Sequence, residues 1–379
     1  VSSKKSSLQM AALQKLKKQG KRLLGKTFVR VVALSEGYPN LQKLHILDAQ
    51  SVPTPEAADM SFYYKAQPLQ GTKYETPNLD AVFLENALFY GGYHALFSPQ
   101  RETIADTIST ETDPEMFLSA FLSAKKVETI SGVCSTFRSH RNGYYHTLVD
   151  NLPRLFLLTC SQKLNLPEIQ LLCASPLSPV ETFFLKQLQP DNCKIVFVEP
   201  DKFYQTEQFI FLPFLTRKFS AGLPGAYLSY FRDRILPKRL SRRNQRIYIS
   251  RIETEKGKQR CVENEEELLA AIEPYGFQRY VLDTMSIEEQ IELFYDAESV
   301  ISPHGAGLTN LLFSDRVWVM ELFPTPQVIP HYYYLCKTLG HDYQYWCAGE
   351  TARNSNFSVD VAAIVEALES PISKGKTNC

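Results

Sequence analysis

The sequence predicts an α/β protein of two domains, and three observations carry that prediction. The chain has 379 residues, more than one typical core holds and enough for two. From about residue 140 onward, short apolar strand-like runs take turns with helical stretches, the rhythm of a parallel sheet with crossover helices. A buried-strand run, Ile301-Ser302-Pro303, leads through His304-Gly305-Ala306-Gly307 into a helix start at Leu308, the junction expected of a nucleotide-binding half.

The elements follow in order. Residues 1–26 form a basic leader, and no acid occurs before Glu36. Leu8, Ala12, Leu16 and Leu23 fall near one helical face with lysines around them. That pattern suits either an amphipathic helix lying on an anionic membrane surface or a solvated leader. Residues 27–237 are expected to form a first, acceptor-side domain. It opens with mixed strands and turns, such as Thr27–Leu34 and the aromatic Asn86–Phe97. It continues with a helical run at Leu152–Leu158, a strand at Ile169–Cys173, a helix around Glu181–Leu188, and strands at Lys194–Val198 and Gln208–Leu212. A basic linker, Pro237–Gln245, precedes a second domain over residues 238–379.

That second domain alternates cleanly. Arg246–Ser250, Gln278–Leu282, Ser299–Ser302 and Val317–Leu322 read as strands. Asn264–Ile272 and Ser286–Phe294 read as helices, each opened by an N-cap residue with Glu267 or Glu289 at the capping-box position. Asp360–Leu368 is a last amphipathic helix, expected to stay in this domain or to pack back on the first.

Composition narrows the classes. Hydrophobic residues at 44% and charged residues at 22% describe a globular chain with little room for long disorder. Lys+Arg and Asp+Glu are both 41, and the resulting zero net charge argues against a nucleic-acid binder. No apolar run approaches the about 20 residues that span a bilayer, and no signal-peptide core is present at the N-terminus. Eight cysteines occur without a CxxC pair, which favours reduced thiols and a cytoplasmic protein.

Three constellations carry chemistry. In the first, Gly305 and Gly307 allow close backbone approach, and the helix start behind them presents N–H groups and a dipole to an anion. A diphosphate is the natural guest, held by residues from His304 through Gly305, Ala306, Gly307 and Leu308 to Thr309 and Asn310. The alternative is a tight turn that packs helix on strand. In the second, Arg251 follows the strand Arg246–Ser250 and would share the carboxyl rim with His304, its guanidinium forking onto phosphate oxygens. Lys256, Lys258 and Arg260 lie in the next loop as assistants or as solvated charges. Glu321 ends the strand Val317–Leu322, where its carboxylate would accept from ribose hydroxyls or be only a helix-cap or surface carboxylate. In the third, His146 and Asp150 are four apart, on one face of a helix. A carboxylate raises an imidazole's basicity and fixes its tautomer, so the pair would serve as general base. Pro153 leaves this open: the helix either kinks there or begins there, and in the second case Asp150 or Asn151 only caps it.

The chain contains no Asp-x-Asp, so no motif is on hand to bridge a diphosphate through a divalent ion. Anchors for ATPase, metalloprotease and serine-hydrolase chemistry are missing as well.

Four ordered blocks resemble glycosyltransferase family 61. They are Tyr144-Tyr145-His146 with Asp150-Asn151-Leu152-Pro153-Arg154-Leu155; Tyr248-Ile249-Ser250-Arg251 with Asn264-Glu265; His304-Gly305-Ala306-Gly307-Leu308-Thr309-Asn310 with Met320-Glu321-Leu322-Phe323; and His331-Tyr332-Tyr333 through Leu339-Gly340-His341-Asp342-Tyr343. The resemblance covers about residues 130 to 345. It implies a GT-B fold, two Rossmann-like domains facing across a cleft, and an inverting, metal-independent transfer from a nucleotide sugar such as a UDP-sugar. It implies a carbohydrate or lipid-linked glycan as acceptor, with no cofactor. Eukaryotic members typically carry a membrane anchor, so this chain resembles the bacterial members grouped with capsular and exopolysaccharide synthesis. The expected function is a hexosyl- or pentosyltransferase, with Arg251 and the turn 304–310 on the diphosphate, Ser250 and Glu321 on the nucleoside, and His146 as base. Asp150 is the second choice for base. The rival readings are a carbohydrate-binding scaffold of the same fold that lost transfer, and a hydrolase using the glycine turn as oxyanion hole.

Overall fold

A computed structural model of the chain describes residues 20, 29–52, 63–64, 67–68, 74–108, 117–118, 120, 127–160, 166, 168–216, 221–251, 259–325, 329–349 and 355–369. The basic leader, apart from Gly20, and the loop lysines Lys256 and Lys258 lie outside the described residues. Contacts divide the chain into two units: Val1–Asp48 with Asn78–Lys218, and Ala49–Pro77 with Phe219–Cys379. No helix among the described residues is long and apolar enough to cross a membrane.

The first unit is built on a nine-stranded mixed sheet. Its strands are β1 (Val31–Val32), β2 (Gln42–Leu47), β3 (Leu79–Tyr90), β4 (Ala95–Phe97), β5 (Thr103–Ile104), β6 (Val127–Ser135), β7 (Ile169–Cys173), β8 (Cys193–Phe197) and β9 (Phe203–Phe211). The spatial order is β1-β5-β4-β3-β9-β6-β7-β8, with β2 also on β3. The run β9, β6, β7, β8 is parallel, as the alternation of the sequence implies. The long strand β3 joins it antiparallel to β9, and adds β2 and β4 antiparallel along its other edge. This half is therefore a mixed sheet and not a purely parallel Rossmann-like one. Phe89 of β3 and Phe209 of β9 stack at 5.9 Å inside its core.

Two helices of this unit lie next to its polar clusters, α1 (Leu155–Cys160) and α2 (Pro179–Leu188). Ser178 caps α2, accepting from the Glu181 N–H at 3.2 Å while Glu181 Oε2 accepts from the Ser178 N–H at 2.8 Å. The same carboxylate takes a two-pronged bond from buried Arg138, Nε to Oε1 at 2.7 Å and Nη2 to Oε2 at 2.8 Å. Burial alone would raise the Glu181 pKa, but the Arg138 and Ser178 bonds outweigh it and hold it below the usual value. A carboxyl with a lowered folded pKa stabilises above the unfolded value of about 4.3 and loses that contribution as pH falls below it. We expect Glu181→Gln to cost about 3–5 kcal/mol at pH 7, since Arg138 stays buried without its counter-charge. Urea unfolding should show the gap to the parent protein narrowing as pH falls below the ordinary glutamate range.

The second unit holds a five-stranded sheet, all parallel. Its strands are β10 (Gln245–Ile249), β11 (Phe277–Tyr280), β12 (Ala297–Pro303), β13 (Trp318–Phe323) and β14 (Asp342–Cys347), in spatial order β11-β10-β12-β13-β14. Its helices are α3 (Gly225–Ile235), α4 (Glu265–Ile272), α5 (Ile287–Tyr295), α6 (His331–Leu339) and α7 (Val361–Glu369). Within the unit this is the doubly wound order 2-1-3-4-5, which reverses direction between β10 and β12.

Local expectations for this half meet three outcomes. Ser286 caps α5 with the reciprocal Glu289 bond, as its spacing predicts. Asn264 precedes α4 but does not cap it: its amide ties down Val359 instead, through Oδ1 at 2.9 Å and Nδ2 at 3.0 Å. The last helix, α7, stays with the second unit; Ile364 and Leu368 are buried with Leu268 and Ile272 of α4.

The boundary between units also differs from the basic stretch expected to link them. It falls at residues 218 and 219, because α3 packs Phe231 on Phe313 at 6.0 Å and Arg232 donates to Ser314 O at 2.6 Å. The basic stretch is docked on the end of α5. Arg239 reaches Asp296 and Glu292, each at 2.7 Å, and Arg242 reaches Tyr295 O at 2.5 Å.

Cys134, Cys173, Cys193, Cys261 and Cys336 are buried thiols, and no disulfide forms among the described cysteines. Burial pushes the Cys134 thiol up to about 12, the behaviour of a small core hydrophobe.

Candidate functional site

The sheet of the second unit brings the sequence-expected residues to one rim. Strands β10 and β12 are neighbours, pairing Ile247 with Val300 and Tyr248 with Ile301. Their carboxyl ends carry Arg251 and His304, at the point where the strand order reverses and open α/β sheets bind ligands. The contact between Arg251 and the turn is intimate. A Cβ built on Gly305 would lie 2.1 Å from Nη1 of Arg251, so the guanidinium rests on the glycine's bare backbone. Burial lowers the Arg251 pKa, partly offset by Cys261, Tyr332 and Asp283, and the group stays a cation at any physiological pH.

Gly307 has a different reason to be glycine. Its Cβ would meet Leu282 Cδ1 at 2.8 Å and Ile249 Cγ2 at 3.6 Å, both core atoms. The two glycines therefore separate by experiment. Gly305→Ala pushes aside the end of a flexible side chain, so it should disturb ligand binding while leaving the melting temperature near the parent value. Gly307→Ala overpacks the core, and we expect it to lower stability by about 1–3 kcal/mol in a thermal melt.

After the turn, a 3₁₀ helix runs over Ala306–Phe313. Ala306 is exposed, Gly307 half-buried and Gly305 before them buried, and the first N–H groups of a helix lack intrahelical partners. Leu308 is core. Thr309 is buried, its hydroxyl 3.4 Å from the Tyr332 hydroxyl. Asn310 is fully buried and donates to Gln290 of α5 at 2.8 Å. The side chains of 308–310 anchor the turn in the core, and the His304 N–H is tied to Leu322 O at 2.8 Å.

His304 is held on three sides. Its Nδ1 lies 2.5 Å from Oε1 of Glu321. Its ring stacks on Phe323 at 5.1 Å and tilts against Tyr332 at 5.7 Å. Glu321 is wholly buried, and its second oxygen accepts from the Tyr343 hydroxyl at 2.5 Å. Both carboxylate oxygens are therefore engaged inside the protein, and Glu321 does not stand at the rim where a nucleoside hydroxyl was expected to meet it. Burial pushes Glu321 up to about 8, against the lowering effects of Tyr343 and Arg260. Arg260, an electrostatic neighbour of Glu321 and Tyr332, sits at φ 60°, in the left-handed region that arginine rarely adopts. Ser250 is nearly as buried as Glu321, donating to Glu265 at 2.9 Å beside Tyr248, which donates to the same carboxylate at 2.9 Å. The sequence did not single out Tyr343, Tyr332 or Glu265 as neighbours of the site. All three stand in the blocks that carry the family resemblance, but only strand register and packing show what they touch.

The first unit holds the third constellation. Gly143, at φ +100°, opens the turn, and Thr147 N–H donates to its carbonyl at 2.9 Å. A π-helical turn then spans His146–Asn151, closed by the Leu152 N–H on Thr147 O. A 3₁₀ turn follows over Leu152–Arg154, and α1 continues from it. The helix neither starts at Pro153 nor loses the face: Nδ1 of His146 lies 2.6 Å from Oδ2 of Asp150. Single-turn π segments concentrate at functional sites. His146 keeps 27% of its side chain exposed against 13% for Asp150, the orientation a base and its anchor require. Beneath them Arg154 is fully buried, donating to Leu212 O, Phe137 O and Arg138 O. Burial pushes Arg154 down to about 9, with Asp150 opposing the shift.

Among the described residues, no three His, Cys, Asp or Glu side chains gather as a metal site. No curated protein matches the chain. Residues 144–320 match the family model described as Glycosyltransferase 61. The matched stretch holds the π turn, Arg251 and His304 and ends just before Glu321, and the match supports glycosyltransferase family 61 for this part of the chain.

Proposed function

We propose that the protein is an inverting glycosyltransferase that moves a sugar from a nucleoside diphosphate, a UDP-sugar in the first instance, to a glycan hydroxyl in polysaccharide synthesis. The observation that carries this reading is the guanidinium of Arg251 lying on Gly305 beside His304 at the reversal point of the sheet. A fixed cation, an imidazole and the start of a helix converge there, which is the chemistry a diphosphate requires.

In this reading the second unit binds the donor and the first supplies the base, in the manner of a GT-B enzyme. The acceptor hydroxyl gives its proton to His146, whose ring Asp150 orients. The acceptor oxygen bonds to the anomeric carbon from the face opposite the diphosphate, the old bond to the diphosphate oxygen breaks, and configuration inverts. Charge grows on the leaving diphosphate, where Arg251, His304 and the N–H groups of the turn stabilise it. No metal ion or cofactor is assigned to this reading, because these groups supply the positive charge.

Ser250 and Glu321 act through neighbours in this scheme. Ser250 braces the end of β10 through Glu265, and Glu321 braces His304. Turnover tests the whole. Incubating the protein with a panel of UDP-sugars and oligosaccharide acceptors should release UDP only where an acceptor is present. Binding of glycans with no UDP release from any donor would favour a carbohydrate-binding scaffold.

A further inference from the structure

A second imidazole stands beside the candidate base. His140 lies on the loop that follows β6, a strand flanked in parallel by β9 and β7. Ligands of open α/β sheets bind beyond the carboxyl ends of such strands. The loop is pinned at several points. Arg154 donates to Phe137 O at 3.3 Å and to Arg138 O at 2.7 Å. The Arg138 side chain is held by Glu181 and donates to Ser175 O at 2.9 Å. The Arg141 N–H donates to Ser139 Oγ at 3.2 Å, and Arg141 O accepts from Nδ2 of Asn151 at 3.0 Å. Asn151 ends the π turn that begins at His146, so the loop and the candidate base are tied into one piece.

The surroundings of His140 fix where its hydrogen sits. Burial, and then the nearby charges of Arg141 and His146, push its pKa down to about 4, so the ring is neutral at pH 7. A neutral imidazole carries one hydrogen, on either nitrogen. The residue is half-buried, and its Nδ1 is enclosed with no hydrogen-bond partner among the described residues. A hydrogen on Nδ1 would be a buried donor that nothing accepts, an arrangement folded proteins avoid. Nε2, across the ring, lies on the open side, and the hydrogen belongs there.

In the proposed reaction His146 is the complement of this ring. Its Nδ1–H donates to Asp150, and its Nε2 offers a lone pair. One imidazole presenting an N–H beside another presenting a lone pair matches two hydroxyls of one sugar, one accepting and one giving up its proton. We propose that His140 is an acceptor-binding residue, its Nε2–H donating to a second hydroxyl of the sugar whose attacking hydroxyl His146 deprotonates. The substrate class it selects is an acceptor sugar with two free hydroxyls within reach of both rings. This rests on the transferase reading and on His146 as its base.

The first arm of the test needs no substrate. Nitrogen-15 spectra of the histidine-labelled full chain, with the His140 signals assigned by His140→Gln, report the charge and tautomer of that ring. A neutral ring with its hydrogen on Nε2 at pH 7 is the expected result; an imidazolium, or the hydrogen on Nδ1, would overturn the proposal. The second arm is initial rates, with the donor and acceptor pair that releases most UDP in the panel above. His140→Ala should raise the acceptor KM about 3- to 10-fold, the contribution of one hydrogen bond, by more than it lowers kcat and with the donor KM unchanged. His140→Gln, which keeps a donor on its amide, should recover part of the loss. Acceptors each lacking one hydroxyl complete the cycle. In the parent, removing one hydroxyl other than the attacking one should cost about the same factor, and that penalty should vanish in His140→Ala. An acceptor KM untouched by His140→Ala, or a parent indifferent to every hydroxyl but the attacking one, would sink the proposal. If His146→Ala then still abolishes transfer, the base reading stands without it. No UDP release from any pair would fail the transferase reading and this proposal together.

Discussion

Replacing His146 with alanine should reduce sugar transfer about 100- to 10,000-fold, the range general-base catalysis supplies, while nucleoside diphosphate affinity stays unchanged. The separation follows from position. His146 stands on the first unit, and the residues assigned to the diphosphate stand on the second. Its Nδ1 is committed to Asp150 at 2.6 Å, so in the proposed reaction the opposite nitrogen of a partly exposed ring is the one to meet an acceptor hydroxyl. Asp150→Asn keeps a side chain of the same size but loses the charge that stabilises the imidazolium formed as the ring takes a proton. Its rate should fall between those of the parent and His146→Ala. Initial rates with saturating donor decide the matter, and full turnover in His146→Ala would remove the base assignment.

Arg251→Ala should weaken nucleoside diphosphate binding about 100-fold. A charge-assisted, bidentate bond to phosphate contributes about 1.5–3 kcal/mol, and alanine removes both the charge and the fork. Arg251→Lys should recover only part of the loss, because an ammonium keeps the charge and not the fork. Equal affinity of parent and Arg251→Ala, read by calorimetry, would take Arg251 out of the site.

The second unit was the more legible half. Strands β12 and β13 carry short apolar runs, and such local signals survive in the sequence, whereas β14, half-buried along its length with polar residues in it, was not anticipated. Ser286 with Glu289 announced α5 correctly, while Asn264 with Glu267 announced a cap whose side chain went to Val359 instead, a partner 95 residues away. The first unit was harder because its decisive pairings are remote. Phe209 of β9 pairs with Leu84 of β3, and nothing local marks a strand that closes a sheet across that separation.

The site divides the same way. Arg251, His304 and the glycine turn sit at strand ends and helix starts, where chain position alone implies a shared rim. The direction of Glu321 was not legible. Every residue of β13 is buried, so no alternation shows which face a side chain takes. A rim carboxylate for ribose was expected there, and the register turned it inward onto His304 and Tyr343. The His146–Asp150 face was readable from its spacing, but the π turn that preserves it ahead of Pro153 had no signature of its own.

The central claim is a diphosphate site at Arg251, Gly305 and His304, and the direct measurement is calorimetric titration of the full chain with UDP and a panel of other nucleoside diphosphates in EDTA. Saturable binding that Arg251→Ala weakens about 100-fold is the predicted result. Binding that appears only when magnesium is added, or no binding of any nucleoside diphosphate, would contradict it.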